Sequence, residues 1–231
     1  DPSATVTTNA GTAGLWTRAS AAQFSHGTDA NYNIHYTDGT FNITKRALTL
    51  AAGDKSRIYG TANSTANYVN GTNLFRVKAG SLVNGDTIST VTETIDSRAT
   101  VTTDAGTPDL KTTIANAVFG TGNANNYDIS YEDGSFAITP RDLTLRAGDK
   151  TRIYGTENAT AVYTGGTTKF RADAATATTG LVNGDTIADV DESTDALRTT
   201  NAGTAGLKTQ ITNMRLMGNR KASNYNITYV D

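Results

Sequence analysis

The chain has 231 residues, a formal net charge of −2 and no cysteine. The near-neutral charge gives no indication of the basic face that binding to nucleic acid or an anionic membrane would need, and the lack of cysteine excludes disulfides and thiolate metal sites. No apolar run approaches the roughly 18 residues that a membrane-spanning helix needs, so we expect no membrane insertion. Short β-branched and Tyr-containing segments bounded by Gly, Asn and Asp predict an all-β, extracellular protein.

The sequence repeats itself at the scale of a small domain. Residues 46–63 and 141–158 are identical at 14 of 18 positions, at an offset of 95 residues. Other landmarks recur in step with them: 9–15 returns at 104–110 and 201–207, 82–88 returns at 181–187, and 31–36 returns at 126–131 and 224–229. A period of this length indicates a tandem domain array.

We divide the chain into three sequence copies. The first copy, 1–45, is the C-terminal half of a repeat; the central copy, 46–140, is a complete repeat; the third copy, 141–231, is a repeat that lacks its last strand. Neither junction contains a linker rich in Pro, Gly or Ser. We therefore expect residues 43–50 and 138–145 to run as unbroken extended chain that pairs on both sides of each boundary. In that arrangement a folded unit combines the end of one copy with the opening strands of the next. The alternatives are that the adjoining strand 48–50 alone, or a neighbouring molecule, covers the apolar face of the first copy.

The first copy ends in a hairpin signal. Apolar and polar residues alternate over 32–36 and 41–43, on either side of Asp38-Gly39. A two-residue Asp-Gly loop favours a type I′ turn, and the central copy repeats the arrangement around Asp133-Gly134. The alternation predicts that equivalent residues of the three copies are mostly buried, namely Tyr36, Tyr131, Tyr229, Ile34, Ile129 and Ile227.

The central copy is predicted to hold seven or eight strands, typical of a sandwich-like module. Besides the hairpin, strands are expected at 48–50, 55–59, 87–94, 98–103 and 110–118, and 73–80 fits a strand or a short helical turn. The predicted fold is a tandem array of small β-sandwich-like domains, Ig-like or β-grasp-like, that forms an elongated rod.

Three stretches of the repeat resemble the MBG/YDG-type repeats. They are Leu-Thr-Leu with the following Ala-Gly-Asp-Lys-Ser-Arg-Ile-Tyr-Gly, then Asn-Gly-Asp-Thr, then Asn-Tyr-Asp-Ile-Ser-Tyr-Glu-Asp-Gly-Ser-Phe-Ala-Ile-Thr. Such repeats occur in large secreted surface adhesins of Gram-negative bacteria, including filamentous-haemagglutinin-like exoproteins. The resemblance implies a stalk that projects adhesive parts for cell attachment and biofilm formation. It supplies no ligand residues.

The two histidines provide no recurring reactive group. His26 aligns with Thr121, and His35 aligns with Ser130 and Thr228. A general base present in every copy is therefore excluded, and neither histidine lies in a known nucleophile signature. We expect no catalytic residue, no enzymatic activity and no cofactor.

Trp16 is a weak ligand-binding candidate, because aromatic faces can stack on sugar rings. It aligns with Lys111 and Lys208, which predicts an exposed or half-exposed position, and a lone surface aromatic is the plainer explanation. The alternative function is thus a carbohydrate- or exopolysaccharide-binding module with polysaccharide or cell-surface glycan partners and avidity from the array. Otherwise we expect a monomer whose partners are neighbouring repeats of its own chain.

Two further patterns have structural explanations. Arg57 and Tyr59 alternate onto one face, which predicts a cation–π stack. The acidic run within 185–195 could collect Ca²⁺, but its spacing fits no EF-hand loop. We expect a solvated acidic loop there and no metal site.

Overall fold

The computed structural model describes residues 1–231 and confirms the all-β prediction. The strands are β1 (Trp16–Thr17), β2 (Gly39–Thr40), β3 (Arg46–Ala52), β4 (Lys55–Ile58), β5 (Asn67–Tyr68), β6 (Phe75–Gly80), β7 (Thr87–Ile95), β8 (Lys111–Thr121), β9 (Tyr127–Glu132), β10 (Gly134–Thr139), β11 (Arg141–Ala147), β12 (Lys150–Thr151), β13 (Val162–Tyr163), β14 (Phe170–Ala172), β15 (Ile187–Thr194), β16 (Thr209–Leu216) and β17 (Tyr225–Val230). Single 3-10 turns span Asp29–Asn31, Asn63–Thr65, Ala124–Asn126, Asn158–Thr160 and Ala222–Asn224. No helix has the length and hydrophobicity that a membrane span requires.

The chain divides into two compact units, each built from three separate segments. Unit 1 comprises Asp1–Gly53, Thr72–Thr94 and Thr113–Gly134; unit 2 comprises Asp54–Gly71, Ile95–Thr112 and Ser135–Asp231. The predicted boundaries of the sequence copies, at 45/46 and 140/141, both fall inside a unit. Each unit therefore contains residues of two successive copies.

In unit 1, β3 is the middle strand of a three-stranded sheet in the order β6-β3-β9. It runs antiparallel to β6 and parallel to β9. The Leu-Thr-Leu alternation sets Leu48 and Leu50 on one face, where they are 1% and 0% exposed and pack against Val91 of β7 and Ile114 of β8. Burying each of these side chains contributes about 2 kcal/mol.

Unit 2 repeats this arrangement with the third copy. β11 is the middle strand of the sheet β14-β11-β17, parallel to β17 and antiparallel to β14. Leu143 and Leu145 pack against Val190 of β15 and Ile211 of β16. Unit 2 also contains β4 and β5 of the central copy, and β4 pairs in parallel with β10.

The hairpin predictions are wrong. β9 pairs with β3 and β10 pairs with β4, so the chain leaves one sheet for another at Asp133. Neither Asp133-Gly134 nor Asp38-Gly39 has the positive φ that a type I′ turn requires at both residues. The apolar residues on the two sides of the turn belong to different cores, because β9 contributes to the core of unit 1 and β10 to that of unit 2.

The burial predicted for the tyrosine and isoleucine positions is wrong for two of the six. Tyr36 and Tyr131 are 42% and 37% exposed, and the other predicted positions are half-buried, namely Ile34, Ile129, Ile227 and Tyr229. The buried aromatic residues of β9 and β17 are Tyr127 and Tyr225, two positions before the isoleucine. Alternation identifies which face of a strand points inward but not how deep each residue lies on it.

The predicted continuity is confirmed at one junction. β10 and β11 are separated only by Pro140, which lacks the N–H that a ladder needs. Both strands pair, β10 with β4 and β11 with β14 and β17. At the first junction strand structure begins at Arg46, and residues 43–45 lie outside any strand, so the prediction of an unbroken strand over 43–50 is wrong there.

Two segments of the central copy complete the comparison with the predicted strands. Of the two alternatives predicted for 73–80, the strand forms, as β6 over Phe75–Gly80. Residues 98–103 form turns and not the predicted strand. The Thr100 N–H donates to Thr103 Oγ1 at 2.8 Å, and such local side-chain bonds offer the backbone an alternative to a sheet ladder.

Candidate functional site: the contact between successive copies

One hydrophobic core draws its residues from two sequence copies. In unit 2 the central copy contributes Tyr59, Ala99, Leu110, Phe136 and Ile138, and the third copy contributes Leu143, Leu145, Val190, Ile211, Met214 and Tyr225. All are at most 5% exposed. Successive copies in this unit therefore share a core instead of touching through a surface.

The Asn-Gly-Asp landmark connects one copy to the preceding one. Asn84 and Asn183 both have left-handed backbone conformations, with φ of 56° and 57°, which Asn tolerates better than most residues. Their side-chain amides donate to the carbonyl of Val6 at 3.0 Å and of Val101 at 2.9 Å. Each acceptor belongs to the preceding copy, so the landmark is explained by a contact between copies.

The Asp of the same landmark accepts a hydrogen bond from a buried tyrosine. Tyr225 donates from its hydroxyl to Asp185 Oδ2 at 2.7 Å and accepts from the Val182 N–H at 3.2 Å. Tyr59, from the central copy, donates to the same carboxylate oxygen at 3.1 Å. Arg220 Nε lies 3.0 Å from Asp185 Oδ1 and balances its charge. The carboxylate is therefore held by groups from two copies.

An equivalent pair lies in unit 1, where the Tyr127 hydroxyl donates to Asp86 Oδ2 at 2.8 Å and accepts from Val83 N–H at 3.1 Å. Burial raises the pKa of Tyr127, as it does for Tyr59 and Tyr225. Withdrawal from water disfavours the charged phenolate. These tyrosines therefore act as neutral hydrogen-bond donors.

The Asn of the Asn-Tyr landmark forms a second set of hydrogen bonds between copies. Asn224 is fully buried; its Oδ1 accepts from the Ala105 N–H at 2.8 Å and its Nδ2 donates to Asp104 Oδ1 at 2.8 Å. Asn126 forms the equivalent hydrogen bonds, accepting from the Ala10 N–H and donating to Asn9 Oδ1. The partner in both cases is the Asx-Ala-Gly landmark of the preceding copy, so three recurring motifs meet at one contact.

Arg141, which opens β11, is enclosed by main-chain carbonyls. It is 2% exposed and donates to Gly180 O at 3.0 Å, Thr179 O at 3.1 Å and Tyr59 O at 3.3 Å. Burial lowers the pKa of this guanidinium. Its equivalent, Arg46, is exposed, so the enclosure depends on the neighbouring loops and not on the motif itself.

The predicted stack of Arg57 on Tyr59 is wrong. Arg57 is 3% exposed, donates to Asn63 Oδ1 at 2.7 Å and lies 5.8 Å from the Phe136 ring. Tyr59 instead packs edge-to-face on Tyr225, with the ring centroids 5.7 Å apart. The strand ends between the two residues, and Tyr59 turns toward the third copy.

The residues singled out in the first copy lie on an exposed part of unit 1. Trp16 is half-buried, with the Arg18 guanidinium 4.2 Å from its ring centroid. Arg18 is also paired with Asp38 at 2.9 Å. His26 and His35 are exposed. A ligand-binding role for Trp16 stays a prediction.

Three residues of the acidic run, Asp189, Asp191 and Glu192, lie on a strand and not in the predicted solvated loop. Asp189 and Asp191 belong to β15, and Arg215 on β16 lies 3.1 Å and 2.8 Å from their carboxylates. Lys169 lies 2.7 Å from Asp189, and these partners lower the pKa of Asp189 to about 2. The acidic residues that alternate along β15 are thus cross-strand ion-pair partners.

Residues 48–137 match the family model of the MBG domain (YGX type), which confirms the resemblance for the central copy. That family is associated with surface proteins. Comparisons with curated proteins and with solved structures find no match.

Proposed function

We propose that the chain is part of the stalk of a secreted or surface-attached bacterial adhesin, where it spaces adhesive parts for cell attachment and biofilm formation. The observation that supports this most is the shared core of unit 2, built from the central and third copies. Copies that share a hydrophobic core and buried hydrogen bonds resist bending more than separate domains joined by a flexible linker do. We also propose that the chain has no enzymatic activity and that its source is a Gram-negative bacterium.

Small-angle X-ray scattering tests this proposal. A rod predicts a pair-distance distribution with a long tail and a radius of gyration well above the roughly 17 Å of a globular chain of this size. A compact distribution would refute the stalk. Sedimentation at the same concentrations verifies that the scattering particle is a monomer.

A carbohydrate-binding role is the second candidate. It is favoured by the exposed aromatic residues of the first copy, since Tyr32 and Tyr36 are 62% and 42% exposed and Trp16 is half-buried. A glycan array would show binding that Trp16→Ala abolishes and Tyr154→Ala, a matched exposed aromatic, preserves. Absence of binding at high protein density would exclude this role.

A further inference from the structure

Three successive strands each pair in parallel with a strand that is distant in sequence. β9 pairs with β3, β10 pairs with β4, and β11 pairs with β17. Only Asp133 separates β9 from β10, and only Pro140 separates β10 from β11. A pull along the chain therefore passes from one paired strand into the next, because no flexible linker lies between them to extend first.

In unit 1 the parallel pair is β3 with β9. Its register covers six residue pairs, from Arg46 beside Tyr127 to Ala51 beside Glu132. The chain enters β3 at Arg46 and leaves β9 at Glu132. These two points lie at opposite ends of the pair, because the strands are parallel. A pull on the chain outside them drags the two strands in opposite directions along their common axis.

The direction of the pull determines how the ladder between β3 and β9 is loaded. The hydrogen bonds of a parallel ladder run between the strands and are evenly spaced. Sliding one strand past the other therefore strains all six residue pairs together. A pull that separates the strands at one end opens the pairs one after another instead. The ladder should resist a lengthwise pull far better than a pull at one end.

Side chains reinforce the same ladder. Leu48, Leu50 and Ala51 of β3 are at most 2% exposed. Their burial keeps water away from one side of the backbone, and hydrogen bonds are electrostatically stronger where water is excluded. On the other face of the sheet, Thr49 Oγ1 lies 2.9 Å from Ser130 Oγ, which adds a hydrogen bond between the two strands.

Unit 2 contains an equivalent parallel pair, β11 with β17. Residues 141–146 lie beside residues 225–230, again over six residue pairs. The entry to β11 and the exit from β17 are therefore also at opposite ends of the pair. Asn226 Nδ2 donates to Asp142 Oδ1 at 2.9 Å and adds a side-chain hydrogen bond between the strands. Both units thus combine the same strand direction with the same entry and exit points.

We propose that these two strand pairs are mechanical clamps, parallel ladders that keep each unit folded when the chain is pulled lengthwise. The unit 1 clamp is β3 with β9, and the unit 2 clamp is β11 with β17. A load-bearing role for the clamps rests on the proposed stalk, since a stalk carries tension between a cell and the surface to which it attaches. The resistance of each ladder to shear does not rest on it.

Pulling one clamp in two directions tests the proposal. The chain contains no cysteine, so pairs of introduced cysteines attach the handles for single-molecule force spectroscopy at defined points. Lys45→Cys with Asp133→Cys loads the unit 1 clamp in shear, whereas Lys45→Cys with Asn125→Cys pulls at one end of the ladder; all three positions are exposed. At equal loading rates we expect a rupture force about threefold higher in shear, because the residue pairs share the load.

Equal rupture forces in the two directions, or a lower force in shear, would overturn the proposal. Urea unfolding verifies that both double variants are as stable as the wild-type chain, so that the forces differ only through direction. Should a unit 1 variant not fold, the unit 2 clamp gives the same comparison, with Pro140→Cys and Asp231→Cys in shear and Pro140→Cys and Ser223→Cys at one end. A failed clamp leaves the scattering test of the stalk unaffected, so the two proposals fail separately.

Discussion

The hydroxyl of Tyr59, in the central copy, donates a hydrogen bond of 3.1 Å to the Asp185 carboxylate of the third copy. Both residues are buried, at 0% and 4% exposure. Tyr225 donates to the same carboxylate at 2.7 Å, and Arg220 lies 3.0 Å from it. One buried carboxylate thus joins two copies within unit 2, and substitutions around it should report how strongly the copies are held together.

Tyr59→Phe should destabilise unit 2 by about 1–2 kcal/mol, because it removes one donor from a buried carboxylate while keeping the ring in the core. The measurement is urea unfolding followed by circular dichroism. Tyr154→Phe is the matched control, since Tyr154 is the equivalent residue and is 59% exposed. Equal effects of the two substitutions would contradict a structural role for the hydrogen bond to Asp185.

Stability should fall at alkaline pH. Burial raises the pKa of Tyr59 and Tyr225 above the ordinary 10.0, so the folded protein holds the phenolic protons more tightly than the unfolded chain does. This contribution is fully present below pH 10 and is lost as the pH rises through the folded-state pKa. Urea midpoints from about pH 8 to about pH 11 should decrease, less steeply in Tyr59→Phe. A flat profile for the wild-type chain would contradict the assignment.

The strands around the repeated motifs could be predicted from the sequence, but the contacts that these motifs make could not. Leu48 and Leu50 alternate with Thr49, which is enough to place both leucines in a core. The Asn-Gly-Asp landmark predicts a turn, and Asn84 and Gly85 have the left-handed conformations of one. Local chemistry determines these features, so local patterns suffice to find them.

The contact between copies was missed because its partners are distant in sequence. Asn224 binds Ala105, and Tyr59 binds Asp185, across 119 and 126 residues. The available signal was that polar landmarks recurred together, since a polar residue repeated in every copy needs a partner. The hairpin prediction failed for the same reason: parallel pairing of β9 with β3 is non-local, and an Asp-Gly dipeptide carries no information about it.

Asn224→Ala should destabilise unit 2 by about 1–3 kcal/mol, because it removes a fully buried side chain and the hydrogen-bond partner of the half-buried Ala105 N–H. Hydrogen exchange resolved by residue should show faster exchange at the Ala105 amide than at amides within β11. Asn226→Ala is the control, since Asn226 lies on the exposed side of β17. Unchanged protection of the Ala105 amide in the Asn224 variant would show that the Asn224 hydrogen bonds do not hold the two copies together.

A pair of equivalent glycines separates backbone strain from the contact between copies. Gly60 and Gly155 have nearly equal positive φ angles, 77° and 81°. A Cβ at Gly60 would lie 2.3 Å from Val182 Cγ2, whereas a Cβ at Gly155 would meet no heavy atom within 4 Å. Gly155→Ala should therefore cost only the left-handed strain, about 1–2 kcal/mol. Gly60→Ala should cost this amount plus about 1–3 kcal/mol of overpacking against the third copy, and adding Val182→Ala should recover part of that excess. Equal unfolding midpoints for the two glycine variants would show that residue 60 is not packed against Val182.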